Sequence, residues 1–149
     1  MEIIPLNLPQ TNLKLTRKDN HVFVWCIVRK KDLVCTPEEW VRQHLIHFLI
    51  NEKNIPLGLL ASEYSLNYNG LVKRADIVVF DRSGQPNMLI ECKAPEVLIS
   101  EKTFYQMAQY NSQLNAEYFM LSNGLHHFIG KIGPKNGDIQ ILDDFPNLF

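Results

Sequence analysis

Two short runs hold the residues whose types and spacing can do chemistry: Asp76-Ile77-Val78-Val79-Phe80 and Ile90-Glu91-Cys92-Lys93. Ile77 to Phe80 is apolar on both faces, as in a central, buried strand, yet a carboxylate stands at its start. Glu91 and Lys93 are two residues apart, so a strand points both side chains to one face. Asp81 to Pro86 is turn chemistry; with the loop centred on Ser83 and Gly84, Asp76 falls opposite Glu91. The β-carbons of such a pair lie roughly 4.5–5.5 Å apart. Two like charges that close, beside a core, are unfavourable unless a proton or a cation stands between them.

Two readings fit this spacing. In the first, Asp76 and Glu91 hold a hard divalent ion, Mg²⁺ or Mn²⁺, which oxygen donors without sulfur or imidazole suit. Lys93 then orients a water and offsets charge developing on a phosphoryl group, which amounts to phosphodiester hydrolysis. In the second, Lys93 forms an inward ion pair with either carboxylate and no metal is needed.

The elements that must position these residues can be read around them. Thr36-Pro37-Glu38-Glu39 predicts a helix start, with Thr36 as N-cap, Pro37 in the first turn and Glu39 closing a capping box. The helix is expected to run to about Asn54, with Val41, Leu45, Phe48 and Leu49 inward and Arg42, Gln43 and His47 around the remainder. Strands are predicted over 21–28, 59–68, 73–80, 88–93, 118–121 and 125–129, with Asn69-Gly70 and Asn123-Gly124 as turns. A second helix is expected from Ser100-Glu101 to about Leu114. Residues 1–20, polar and poorly periodic, read as a loosely packed arm before a single domain spanning 1–149.

The motifs Lys73-Arg74-Ala75-Asp76-Ile77-Val78-Val79 and Ile90-Glu91-Cys92-Lys93-Ala94-Pro95 resemble the PD-(D/E)XK nuclease superfamily. More closely, with Thr36 to Gln43, Phe104 to Asn111 and Ser122-Asn123-Gly124, they resemble the N-terminal nuclease domain of type I restriction enzyme R subunits. The resemblance covers roughly residues 20 to 132. It implies a mixed α/β (α+β) restriction-endonuclease-like core, α-β-β-β-α-β with a mixed central sheet. It also implies Mg²⁺ or Mn²⁺ on Asp76 and Glu91, a catalytic Lys93, and a carboxylate from the first helix. Glu38 is preferred over Glu39 for that place, since Glu39 already has a capping role. Gln106 and Tyr110, an i, i+4 pair, match an accessory QxxxY motif and are expected to line the site or contact DNA. Glu63, on the first strand of the meander, has two readings, near the site or at an exposed strand position, and the second is preferred.

Composition narrows the function classes. With 149 residues and 46% hydrophobic content, one core is the natural expectation. No apolar run approaches a bilayer span, and the first residues lack the charge and apolar run of a secretory signal, so a cytoplasmic protein is expected. Three widely spaced cysteines without a CxxC argue for buried thiols over disulfides or a zinc knuckle. His44 with His47, and His126 with His127, lack a third ligand for zinc. The stretch from Gly124 to Ile132 has the wrong spacing for a phosphate loop and lacks the hydroxyl residue after its lysine, so no motor activity is expected of it. Net charge is −1, which leaves attraction to DNA to local clusters: Arg29 to Lys31, Lys73-Arg74 and Lys131 to Lys135. Each alone reads as solvated surface. A DNA-binding or motor partner protein, or a homodimer, would supply more positive charge. The rival expectation is a nuclease fold kept as a nucleic-acid-binding or interaction module without turnover.

Overall fold

A computed structural model describes residues 3–133 and 138–149. The chain is a mixed α+β fold. A three-stranded antiparallel sheet, β1 (Leu15–Lys18), β2 (His21–Cys26) and β3 (Lys31–Val34), precedes helix α1 (Pro37–Asn51). A six-stranded sheet follows in sequential order: β4 (Leu60–Tyr68), β5 (Leu71–Phe80), β6 (Pro86–Cys92), β7 (Tyr118–Ser122), β8 (His127–Ile132) and β9 (Ile139–Leu142). Helix α2 (Glu101–Asn111) crosses from β6 to β7, which are parallel; the other neighbours are antiparallel. Within this lies the expected α-β-β-β-α-β order.

The large sheet separates two cores because its strands alternate. Ile77, Val79, Met88, Ile90 and Cys92 pack with Val41, Leu45, Ile46 and Leu49 of α1. Val78, Leu89, Phe119 and Leu121 pack with Phe104 and Ala108 of α2. With both faces buried, β5 and β6 lie between the two cores. All three cysteines are buried free thiols.

Helix α1 starts as predicted: Glu39 N–H donates to Thr36 Oγ1 at 3.0 Å and Pro37 occupies the first turn. The reciprocal half of the capping box is not made, because the Glu39 carboxylate turns to Arg42 and Gln43 while Thr36 N–H donates to Val34. The helix stops at Asn51, short of Asn54, whose φ of +54° is incompatible with continuing it. Its inward face is also wider than expected, since Arg42, Gln43 and His44 are buried alongside the apolar set. Helix α2 likewise starts at its Ser100 cap but ends at Asn111, the expected remainder to Leu114 being a short 3-10 turn.

Three strands were outside the expected set: β1, β3 and β9. The opening stretch, read as a loose arm, is tied down by β1 and by Asn7, whose N–H donates to Gly124 O and whose C=O faces His127 Nε2 at 2.9 Å. Leu6 and Leu8 pack on the α1-side core. Strand β2 ends at Cys26 instead of Val28, and β8 starts at His127 instead of Leu125. Of the Lys131 to Lys135 cluster, Lys131 pairs with Glu117 at 3.4 Å, and Lys135 lies outside the described residues. No helix among the described residues is long and apolar enough to cross a membrane.

Candidate active site

The β5–β6 register places Ile77 opposite Ile90, Val78 opposite Leu89 and Val79 opposite Met88, so the next step brings Asp76 to Glu91. The ladder itself stops at Ile77. Beyond it, Cys92 N–H donates to Asp76 Oδ2 at 2.7 Å, so a carboxylate takes a backbone donor beyond the last paired residue. Alternation breaks at the same place: Ala75 belongs to the α2-side core and Ile77, two residues on, to the α1-side core. Glu63, facing this point on β4, has φ +50°, the matching irregularity in the neighbouring strand. Asp76 therefore does not simply share the sheet face of Glu91. It lies at a break in the sheet and reaches toward α1.

On the α1 side, Arg42 is 5% exposed and holds the Glu39 carboxylate with two bonds, Nε to Oε2 at 3.0 Å and Nη2 to Oε1 at 2.9 Å. Its Nη1 stands 3.4 Å from both Asp76 Oδ1 and Glu63 Oε1. Glu63 is not the exposed strand residue expected; its half-buried carboxylate is shared by Arg29, Arg42 and Arg74. Arg29 and Arg74, read from sequence as solvated charge, are thus partly spent on this network.

Glu91 is half-buried, and its carboxyl is pushed up to about 7, first by burial and then by Asp76, within hydrogen-bonding reach; Lys73 and Lys93 pull it back. Glu38 sits in the first turn of α1. Burial and then Asp76 push its carboxyl up, while Arg42 and Lys93 pull it down, so Glu38 feels the charges of the cluster without a hydrogen bond or ion pair to it among the described residues. Glu39, the alternative helix carboxylate, is committed to Arg42. Lys93 continues β6 by donating its N–H to Ser122 O at 2.8 Å. Its ammonium forms no ion pair within 4 Å among the described residues, unlike the inward pair that spacing alone allowed.

Tyr110 is 58% exposed and reaches this cluster through Lys73, whose Nζ lies 4.1 Å from the ring centroid. Gln106, one turn earlier on α2, is exposed, and nothing ties it to the carboxylates. Two residues that sequence reasoning did not place in the site are therefore Arg42 and Lys73. The i, i+3 spacing of Glu39 and Arg42 was a signal for the first; period two along β5, putting Lys73 between Leu71 and Ala75 on the α2 face, was a signal for the second.

The Ser122-Asn123-Gly124 segment braces the loop after Lys93. Asn123 is buried; its Nδ2 donates to Val97 O at 2.8 Å, and its Oδ1 accepts from Leu125 N–H at 3.0 Å and His126 N–H at 2.8 Å. Gly124 has φ +85°, and a β-carbon there would meet Leu6 at 2.8 Å. Asn123→Ala is expected to destabilise the protein by about 1–3 kcal/mol, through three lost bonds and unpaired backbone groups. An unchanged urea midpoint would show that the loop does not depend on this anchor.

The Glu91 shift has its own consequence for stability. A carboxyl whose folded pKa is raised makes the folded state bind more protons, so the metal-free protein loses stability as pH climbs from about 4.5 to about 7. Glu91→Gln is expected to stabilise it by roughly 2 kcal/mol at pH 8. That advantage fades below pH 5. Thermal unfolding in chelator across this range measures both, and a pH-independent difference would contradict the cause given.

The donors brought to this place are oxygens, the carboxylates of Asp76, Glu91 and Glu38, while Cys92 is buried in the core with its thiol pushed well up by burial. Among the described residues no group of three or more His, Cys, Asp or Glu side chains is arranged to hold a metal ion. Two carboxylates alone would leave most of the shell of a Mg²⁺ ion to waters. Compared with known proteins, the chain matches the family described as Type I restriction enzyme R protein N terminus (HSDR_N) over residues 37–146. No curated protein matches it.

Proposed function

The chain belongs to the family of type I restriction enzyme R protein N-terminal regions, and from that premise we propose that it is a metal-dependent DNA nuclease domain of the PD-(D/E)XK kind. The observation that carries the reading is the Asp76–Glu91 pair, two carboxyls held together in a half-buried place at the cost of a Glu91 raised to about 7. Folding alone gains nothing from that repulsion; a divalent cation would relieve it.

Asp76 and Glu91 would hold Mg²⁺ or Mn²⁺, with Arg42 and Cys92 N–H fixing the Asp76 carboxylate. The ion, when bound, supplies charge neutralisation and polarises a phosphate oxygen. Lys93 holds the attacking water and offsets negative charge on the phosphoryl group as the P–O bond opens. Glu38 keeps the Lys93 ammonium directed toward the pair. Tyr110 forms the wall on the α2 side through Lys73, and Gln106, one turn earlier on the same exposed face, is left free to meet DNA. With a net charge of −1, tight DNA binding is expected to draw on a partner protein or a second copy.

The test combines cleavage with a readout that needs no turnover. Purified protein with Mg²⁺ or Mn²⁺ is offered single-stranded, nicked and duplex DNA, and RNA; cleavage of DNA that Glu91→Gln abolishes is expected. In parallel, Mg²⁺ at pH 8 is expected to raise the unfolding temperature of the native chain and not of Glu91→Gln. One observation favours a second reading, a binding module without turnover: both Asp76 oxygens already have protein partners. Absence of both cleavage and the Mg²⁺-induced shift would establish that reading instead.

A further inference from the structure

Lys73 is half-buried on β5, three residues before Asp76 and on the α2 face of the sheet. A lysine so close to Asp76 and Glu91 has two ordinary fates. It extends into water, or it closes an ion pair. Lys73 does neither: among the described residues no carboxylate lies within 4 Å of its ammonium, which rests over the ring of Tyr110 at 4.1 Å. The face of a tyrosine attracts a cation, by about 0.5–1 kcal/mol when exposed and more when desolvated. Tyr110 thus holds the charge near the carboxylates without neutralising them.

Resting on the nuclease reading of this site, we infer that Lys73, seated on Tyr110, is a phosphate subsite that grips the backbone of a nucleic-acid strand beside the Asp76–Glu91 pair. Three features make the placement suitable. Arg42 is committed to Glu39 and Arg29 to Glu63, while Arg74, 63% exposed, shares Glu63 in a surface pair. Lys73 and Lys93 follow the same sheet face by period two on β5 and beyond β6, and the charges of both act on Glu91, so a strand held at one lies in the field of the other. Tyr110 is 58% exposed and open to solvent, so a strand can approach the pair. Tyr110 acts here as a positioning residue, and its ring rather than its hydroxyl is what the arrangement uses.

The test measures binding of a labelled mixed-sequence DNA duplex to the whole chain, with Ca²⁺ replacing Mg²⁺, over a range of salt. Lys73→Gln is expected to weaken binding roughly tenfold at about 50 mM salt and to lower the log–log salt slope by about one, the signature of one lost phosphate contact. Tyr110→Phe, which keeps the ring, is expected to behave as the native chain, and Tyr110→Ala to lose part of both. Thermal unfolding of each variant separates misfolding from lost contact. A folded Lys73→Gln with the native slope overturns the inference, as does a Tyr110→Phe no better than Tyr110→Ala, or a native chain that does not bind DNA. The nuclease reading is judged apart. Cleavage sensitive to Glu91→Gln with no effect of Lys73→Gln keeps that reading and removes the subsite, whereas Lys73-dependent binding without cleavage does the reverse.

Discussion

Lys93→Ala is expected to slow Mg²⁺-dependent DNA cleavage by about 10²- to 10³-fold, the usual loss when one donor aimed at developing charge is removed. The substitution should be clean. Lys93 is held in place through its backbone, by the bond to Ser122 O, and its side chain forms no ion pair within 4 Å among the described residues. Alanine therefore leaves no buried partner stranded. The Mg²⁺-induced rise in unfolding temperature is expected to persist, because the carboxylate pair remains. Single-turnover rates with protein in excess isolate the chemical step, and a rate within threefold of native would remove Lys93 from the chemistry. Glu38→Gln, which disturbs Lys93 only through its neighbour, is expected to cost less.

Arg42→Met is expected to destabilise the fold by about 3–5 kcal/mol, the range for removing one partner of a buried ion pair. Arg42 and Glu39 are each 5% exposed, and the pair is joined by two hydrogen bonds. Without the guanidinium, Glu39 is left with Gln43 Nε2 at 3.0 Å as its buried partner and must take up a proton or draw in water. Asp76 and Glu63 lose a counter-charge together. Because the penalty belongs to the stranded carboxylate, pairing Arg42→Met with Glu39→Met is expected to recover most of it. Urea denaturation of both single variants and the double variant measures the coupling. Additive losses would show that the two residues act separately.

The sequence carried the β5–β6 hairpin well because its determinants are local: turn residues at Asp81 to Gln85, apolar runs on either side, and a register that those two features determine together. The bulge between Val79 and Phe80 did not displace Asp76 from Glu91, since it lies on the loop side of the paired residues. The α1 N-cap was equally local. What escaped depends on contacts far along the chain. Arg42 looks like a surface residue until Glu63 and Asp76 come to it from β4 and β5, and Lys73 looks like half of a basic dipeptide until Tyr110 arrives on α2. The left-handed backbone at Glu63 has no glycine to announce it. Strands β1 and β3 lack the in-out alternation of a half-buried sheet, being largely exposed.

The parallel pairing of β6 with β7 also divides the large sheet into two halves of local contacts. Strands β4 to β6 form one antiparallel meander and β7 to β9 another, each joined by short connections that close quickly. Only β6 and β7 must wait for the crossover through α2. Asp76 and Glu91 are neighbours within the first half, but the bond that seats Lys93, to Ser122, spans the seam between halves. The acidic pair thus rests on local contacts and the anchor of its lysine on a long-range one, so the site is whole only when the two halves of the sheet are joined.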